Sequence, residues 1–192
     1  MKNRLKAKGM RRQALHLFRD YLFNRFIEVV AAGRTSGMKQ IFSGVPQGGK
    51  WSATLWDLDI SEMCDSLSDQ ALPFGYADDV SLWYELPAGH TADELATIIN
   101  EDLVRLKEWG DDNNTTFEKS KMEMVVVSKK RTPMKPVGVS FDGFSLPILP
   151  SIKLVGFTVD SAFTWGPMID RIAGKARARL GHGTFKAQVL PR

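Results

Sequence analysis

The sequence predicts an α+β domain in which helices pack on one face of an antiparallel sheet. Apolar periodicity alternates along the chain between the 3.6-residue spacing of helices and the two-residue spacing of strands. "TADELATIINEDLVRLKEWG", Thr91 to Gly110, joins a capping box to an apolar stripe. "FGYADDVSLWYE", Phe74 to Glu85, reads as two strands tied by a tight turn. With 192 residues, 43% hydrophobic and 25% charged, the chain can bury one core.

Residues from about Gln13 to Val30 read as a first helix, with Leu15, Phe18, Leu22 and Phe26 on one face, and Gly33 to Gly37 break the pattern. A short strand is expected at Lys39 to Phe42. "SGVPQGG" is a Gly/Pro turn leading into a helix from Ser52 to Leu67. Strands follow at Leu72 to Ala77 and Val80 to Tyr84, with Asp78 and Asp79 at the tip between them. In the next helix Thr91 and Glu94 form the box, Leu95, Ile98, Ile99, Leu103 and Leu106 form the stripe, and Gly110 closes it. Lys121 to Ser128 reads as a Val-rich strand, Pro133 and Pro136 as a loop, and "IKLVGFTVD" as a further strand. Gly166 to Leu180 is expected to be helical, with Pro167 in its first turn. Met168, Ile169, Ile172 and Ala176 then lie on one side and Arg171, Lys175 and Arg179 on another.

The balance of 26 Lys and Arg against 22 Asp and Glu is only +4, yet the basic charge is clustered. Six of the first twelve residues are Lys or Arg and no acid precedes Asp20; Arg171, Lys175, Arg177 and Arg179 form a second group. Such clusters either meet polyanions or are solvated helix faces. The acid-poor start is read as part of the fold, not as a targeting leader, because it runs on into an apolar helix. One cysteine, Cys64, excludes an internal disulfide and a thiolate metal cluster, which suits an intracellular chain of nucleus or cytoplasm and not a secreted one. No apolar run approaches the ~20 residues that cross a bilayer.

Two stretches carry chemistry. An Asp-Asp hairpin tip fits positive φ poorly and adds like-charge repulsion, which a divalent cation would offset; the bland alternative is two carboxylates pointing into water. "SGVPQGG" holds a rigid Pro46, an amide in Gln47 and glycines at 44, 48 and 49 that let backbone approach a ligand. Taken by itself it is an ordinary turn before a helix.

Together, "GVPQGGKWSATLWDLDISEM", "FGYADDVSLW", "LKEWGDDNNTTFEKSKMEMVVVSKK" and "IKLVGFTVDSAFTWGPMIDRIAGKARARL" resemble, in order, consecutive motifs of a reverse transcriptase palm, in the form found in non-LTR, LINE-type retrotransposons. The resemblance runs from about Leu15 to Leu180. A group II intron maturase or a telomerase is a related alternative, but "LVGFTVD" to "FTW" is more similar to the retrotransposon type. The resemblance implies an incomplete palm over residues 1–165, without fingers, and the start of a thumb over 166–192. It implies RNA-directed DNA polymerisation, with RNA template, DNA primer and dNTP as partners, an endonuclease in the same element, no membrane, and two Mg²⁺ ions, or Mn²⁺. Asp78 would be the essential metal ligand and Asp79 its helper. Tyr76 would stand beside the primer end, and Pro46, Gln47 and Gly48 near the templating pair and nucleotide. Lys119, with Lys121 as a competitor, would protonate or stabilise the departing pyrophosphate. Arg171, Lys175 and Arg179 would contact backbone phosphates.

The chain departs from that pattern in places. The family's first carboxylate comes from an apolar-x-Asp strand upstream of the Pro-Gln-Gly turn; Asp20 has a helical setting, and Asp57 and Asp59 belong to the following helix. Ser52-Ala53 stands where many relatives have Ser-Pro, and Thr116 where an Asn is frequent. The 192-residue chain alone is therefore expected to extend no primer, and a non-catalytic nucleic-acid-binding remnant is the alternative.

Overall fold

The computed structural model describes residues 2–129, 136 and 138–189, which fall into two compact units: residues 1–67 with 109–115, and residues 68–108 with 116–192.

In the first unit, helix α1 (Lys2–Ala7) precedes α2 (Arg12–Leu22). Leu5, Phe18 and Leu55 are the buried centre, with Leu15, Tyr21, Leu22 and Val45 around them. The ring of Trp51 meets Phe18 edge-on at 5.4 Å. The first helix stops well short of Val30. Phe23 is extended, Asn24 takes φ 52°, and Ile27, Val29 and Val30 are β-branched residues that favour strands. Strands β1 (Arg25–Ile27) and β4 (Lys39–Ile41) pair antiparallel, with Phe26 opposite Gln40, and enclose the small hairpin of β2 (Val30–Ala31) and β3 (Arg34–Thr35). Phe26, expected on the helix stripe, thus lies on an exposed strand. Helix α3 (Ser52–Asp65) follows where it was expected.

Arg4 was not foreseen as a structural residue. It pairs with Asp59 and Glu62 of α3, donates to Asn113 Oδ1, and holds its guanidinium 5.8 Å from the Trp109 ring centroid. At least this part of the N-terminal basic cluster serves folding, since the Arg4 side chain is only 16% exposed.

The second unit opens with the hairpin of β5 (Ala71–Tyr76) and β6 (Asp79–Tyr84). Helix α4 (Ala92–Asp112) carries the predicted box: Thr91 N–H donates to Glu94 Oε2 at 2.8 Å, and Glu94 N–H to Thr91 Oγ1 at 3.2 Å. Ile99, Leu103 and Leu106 are buried as the stripe requires. Gly110 does not close this helix; it runs on to Asp112, and Asn114 supplies the left-handed residue beyond, at φ 51°.

After a 3₁₀ turn at Lys119–Lys121, the Val-rich segment forms no ladder. Met124 alone makes a parallel bridge, to Ile148. Strands β7 (Ser140–Phe141) and β8 (Phe144–Ser145) turn through Asp142 and Gly143, both at positive φ, as a type I′ hairpin needs. "IKLVGFTVD" is not one strand but a hairpin, β9 (Ser151–Leu154) and β10 (Phe157–Asp160), turning at Val155–Gly156. Helix α5 (Gly166–Val189) completes the unit. Of the loop read at Pro133 and Pro136, Pro133 lies outside the described residues.

The α+β class holds. A continuous sheet does not appear: the described strands form five two-stranded antiparallel ladders. They run two to six residues, and Lys121–Ser128, which was expected to add a strand, contributes one bridge.

Candidate active site

The carboxylate pair sits at the end of β5–β6, though not as an Asp-Asp tip. Tyr76 pairs with Asp79, so the two loop residues are Ala77 and Asp78. Ala77 takes φ 54° and Asp78 does not have positive φ, which matches the first central position of a type II′ turn. The strain expected at an aspartate therefore falls on an alanine, and Asp79 opens β6.

That register fixes the faces. Side chains alternate along strands, and directly opposite residues share a face. Leu72, Phe74 and Tyr76 stand opposite Trp83, Ser81 and Asp79. Leu72, Phe74, Tyr76 and Trp83 are all exposed, whereas Ala71 on the other face is buried. Asp79 therefore shares an open aromatic face with Tyr76. Among the described residues neither Asp78 nor Asp79 has a hydrogen-bonding or ion-pairing side-chain partner, and no group of three His, Cys, Asp or Glu gathers around them.

The other end of the same hairpin is held by a buried carboxylate that the sequence reading passed over. Asp102, on α4, has no exposed side-chain surface. Its Oδ1 accepts from Ser68 N–H at 2.8 Å and from Arg105 at 2.6 Å. Its Oδ2 accepts from Ser68 Oγ at 2.6 Å and from Tyr84 Oη at 3.0 Å. Burial pushes the Asp102 pKa up, but these four donors outweigh it and hold it below the ordinary carboxylate range. Tyr84 is raised, by burial first and then by the Asp102 charge.

Lys119 is engaged elsewhere. Its ammonium pairs with the Asp142 carboxylate and donates to the Asp142 carbonyl at 3.0 Å, and that bond and charge lower the Asp142 pKa. Lys121 is exposed. Arg171 donates to the Gly156 carbonyl at the β9–β10 turn and approaches Met168 Sδ at 3.1 Å, while Lys175 and Arg179 are exposed. The approach to α5 is organised by Asp160, whose carboxylate accepts from Ala162 N–H at 3.0 Å, Trp165 N–H at 3.0 Å and Thr164 N–H. Burial would raise its pKa; these N–H groups and the Thr164 hydroxyl outweigh it and lower it.

The Pro46–Gly49 turn belongs to the first unit, and the carboxylate pair to the second. Pro46 carbonyl accepts from Gly49 N–H at 3.2 Å and from Ser52 Oγ. Gly48 takes φ 76°. At Gly49 a Cβ would overlap Tyr21 Oη and Ser52 Oγ, and those two hydroxyls lie 3.1 Å apart. Packing by Tyr21, a residue with no sequence signal, therefore accounts for Gly49. Gln47 is exposed. Asp20 lies on α2 beside Arg19, and Asp57 and Asp59 lie on α3, all helical as predicted.

The described residues thus form a mixed α and β chain with one hairpin that ends in two adjacent carboxylates without a side-chain partner among them. Residues 3–159 match the family model for reverse transcriptase (RNA-dependent DNA polymerase), and the chain belongs to that family. The chain is similar to the RNA-directed DNA polymerase from mobile element jockey of Drosophila melanogaster, 26% identical over 182 residues. That alignment covers 91% of this chain and 19% of the relative, so the chain spans about a fifth of that protein's length. The reading of the sequence as part of a retrotransposon reverse transcriptase domain stands. No solved structure matches.

Proposed function

We propose that this chain carries the carboxylate hairpin of a polymerase that copies an RNA template into DNA, joining a primer 3′-hydroxyl to the α-phosphate of a dNTP. The observation that supports it is the pair Asp78 and Asp79: two carboxylates, exposed and without a side-chain partner among the described residues, at the end of a hairpin in a reverse transcriptase chain. Hard oxygen donors of this kind fit Mg²⁺ or Mn²⁺. Bound there, the metal would lower the pKa of the attacking hydroxyl and neutralise charge developing on the phosphates.

The chain's own residues divide the remaining tasks. Asp78 and Asp79 hold the metal, and Tyr76, on the face of Asp79, lies beside the primer end. Pro46, Gln47 and Gly48 approach the nucleotide and template. Lys119 must exchange Asp142 for the pyrophosphate to assist its departure. Lys175 and Arg179, with Arg171 at the hairpin turn, meet backbone phosphates. Residues 1–165 are then a portion of a polymerase palm and 166–192 the start of its thumb, and an endonuclease elsewhere in the element is a further partner.

Manganese titration followed by electron paramagnetic resonance tests the assignment. The wild-type chain should bind Mn²⁺, and the doubly substituted Asp78→Asn/Asp79→Asn chain should not; equal affinity in the two overturns it. Binding of an RNA–DNA duplex should weaken steeply with salt, and Lys175→Ala/Arg179→Ala should lower the log–log slope by about 2.

A further inference from the structure

We infer that Asp102 is a positioning residue for the carboxylate pair, fixing the β5–β6 hairpin at its open end so that Asp78 and Asp79 are presented in one orientation. The inference deepens the proposed function and rests on it for its catalytic meaning. Ser68 and Tyr84 flank the two ends of the hairpin's base: Ala71 N–H donates to Ser68 O at 3.0 Å, and Ala71 is the ladder partner of Tyr84. One buried carboxylate on α4 therefore grips both the entry to β5 and the exit from β6. The hairpin's tip lies five residues further along each strand, roughly 17 Å away at about 3.3 Å per residue.

A two-stranded ladder is only marginally stable by itself, so its direction is set by whatever holds its base and its covered face. Here the covered face carries Val80, Leu82 and Tyr84, none of them exposed, and the hydrogen bonds that fix its angle converge on Asp102. Arg105, three residues along α4, balances the charge and shares Oδ1 with the Ser68 N–H, while Oδ2 takes the Ser68 and Tyr84 hydroxyls. A rotation at the base would displace the tip by a larger distance than the base itself moves. Residues that orient metal ligands at one remove change metal affinity by about 10–100-fold when altered.

The test separates the clamp from the metal reading. Asp102→Asn keeps the side-chain shape but substitutes two N–H donors where Asp102 only accepts; Tyr84→Phe removes one bond and keeps the ring. By amide hydrogen exchange in the metal-free full chain, both should exchange faster at Leu72–Trp83, with Leu103–Trp109 of α4 unchanged. In the Mn²⁺ titration both should bind about tenfold more weakly than wild type, with Asp102→Asn the more affected. Exchange that rises uniformly, or not at all, overturns the clamp. If hairpin exchange rises selectively while wild type itself binds no Mn²⁺, the clamp stands and the metal assignment at Asp78 and Asp79 falls. Should Asp102→Asn fail to fold, Tyr84→Phe carries the same two readouts.

Discussion

The two ends of the β5–β6 hairpin treat aspartate in opposite ways. At its base Asp102 is wholly buried and accepts from Ser68, Tyr84 and Arg105; at its tip Asp78 and Asp79 are exposed and accept from no described side chain. Desolvating a carboxylate is costly unless donors replace the lost water, so Asp102 persists only because its four donors are in place. Adjacent solvated carboxylates have no such dependence, but they repel, and no side chain among the described residues pairs with them. The first arrangement belongs to the folded chain, and the second awaits a cation from outside.

The contrast is tested most strongly at the base. Asp102→Ala would leave the half-buried Ser68 N–H and hydroxyl and the Tyr84 hydroxyl without this acceptor and Arg105 without its partner. Urea unfolding should show a loss of about 2–3 kcal/mol. A loss below about 1 kcal/mol would mean that water satisfies those groups and that the base is no tighter than the tip.

Acid provides the next test. Asp102 and Asp160 are both held below the ordinary carboxylate pKa of about 4. A depressed folded-state pKa gives stability that is present in full above the unfolded value and is lost as pH falls through the folded one. Stability should therefore decline below about pH 4. In Asp102→Asn/Asp160→Asn that decline should flatten. An unaltered acid limb in that variant would remove the distinction between the two kinds of carboxylate.

What the sequence disclosed follows the same division. The tip was legible because two adjacent acids interrupt strand-forming residues, and helix α4 because Thr91, Glu94 and the Leu/Ile stripe repeat a local pattern. Asp102 left a signal that was not used: it stands three residues after Ile99 and seven after Leu95, on the apolar stripe, where a carboxylate must find donors. The β7–β8 hairpin was equally announced by Asp142-Gly143 between "SF" and "FS". Val155-Gly156 gave no comparable cue, since a β-branched residue rarely takes the φ of 47° seen there. The early end of α2 turns on Asn24 and a β-branched run that helical spacing alone outvoted. Tyr21 against Gly49, and Arg4 between Asp59 and Asn113, depend on residues far apart in the chain and have no local signature.

A smaller effect separates a cap from a clamp. Thr91→Ala removes the hydroxyl that accepts from Glu94 N–H at the exposed start of α4. It should cost about 1 kcal/mol by urea unfolding, well under the loss at Asp102, because water replaces an exposed bond and cannot replace a buried one. A cost equal to that of Asp102→Ala would show that position on α4, not burial, sets the scale.

The smallest effect is the most telling. Without metal, Asp78→Asn/Asp79→Asn should leave the thermal midpoint unchanged or slightly raised, since the substitution ends a like-charge repulsion and breaks no hydrogen bond. Adding Mn²⁺ should then part the two chains. A ligand that binds only the folded state raises stability by RT ln(1 + [L]/Kd), about 2.7 kcal/mol at a hundredfold excess over Kd, so the wild-type midpoint should climb with Mn²⁺ and the variant's should stay level. A large metal-free loss in the variant would show that the tip carboxylates have partners in the fold after all, and the two ends of the hairpin would then differ in degree and not in kind.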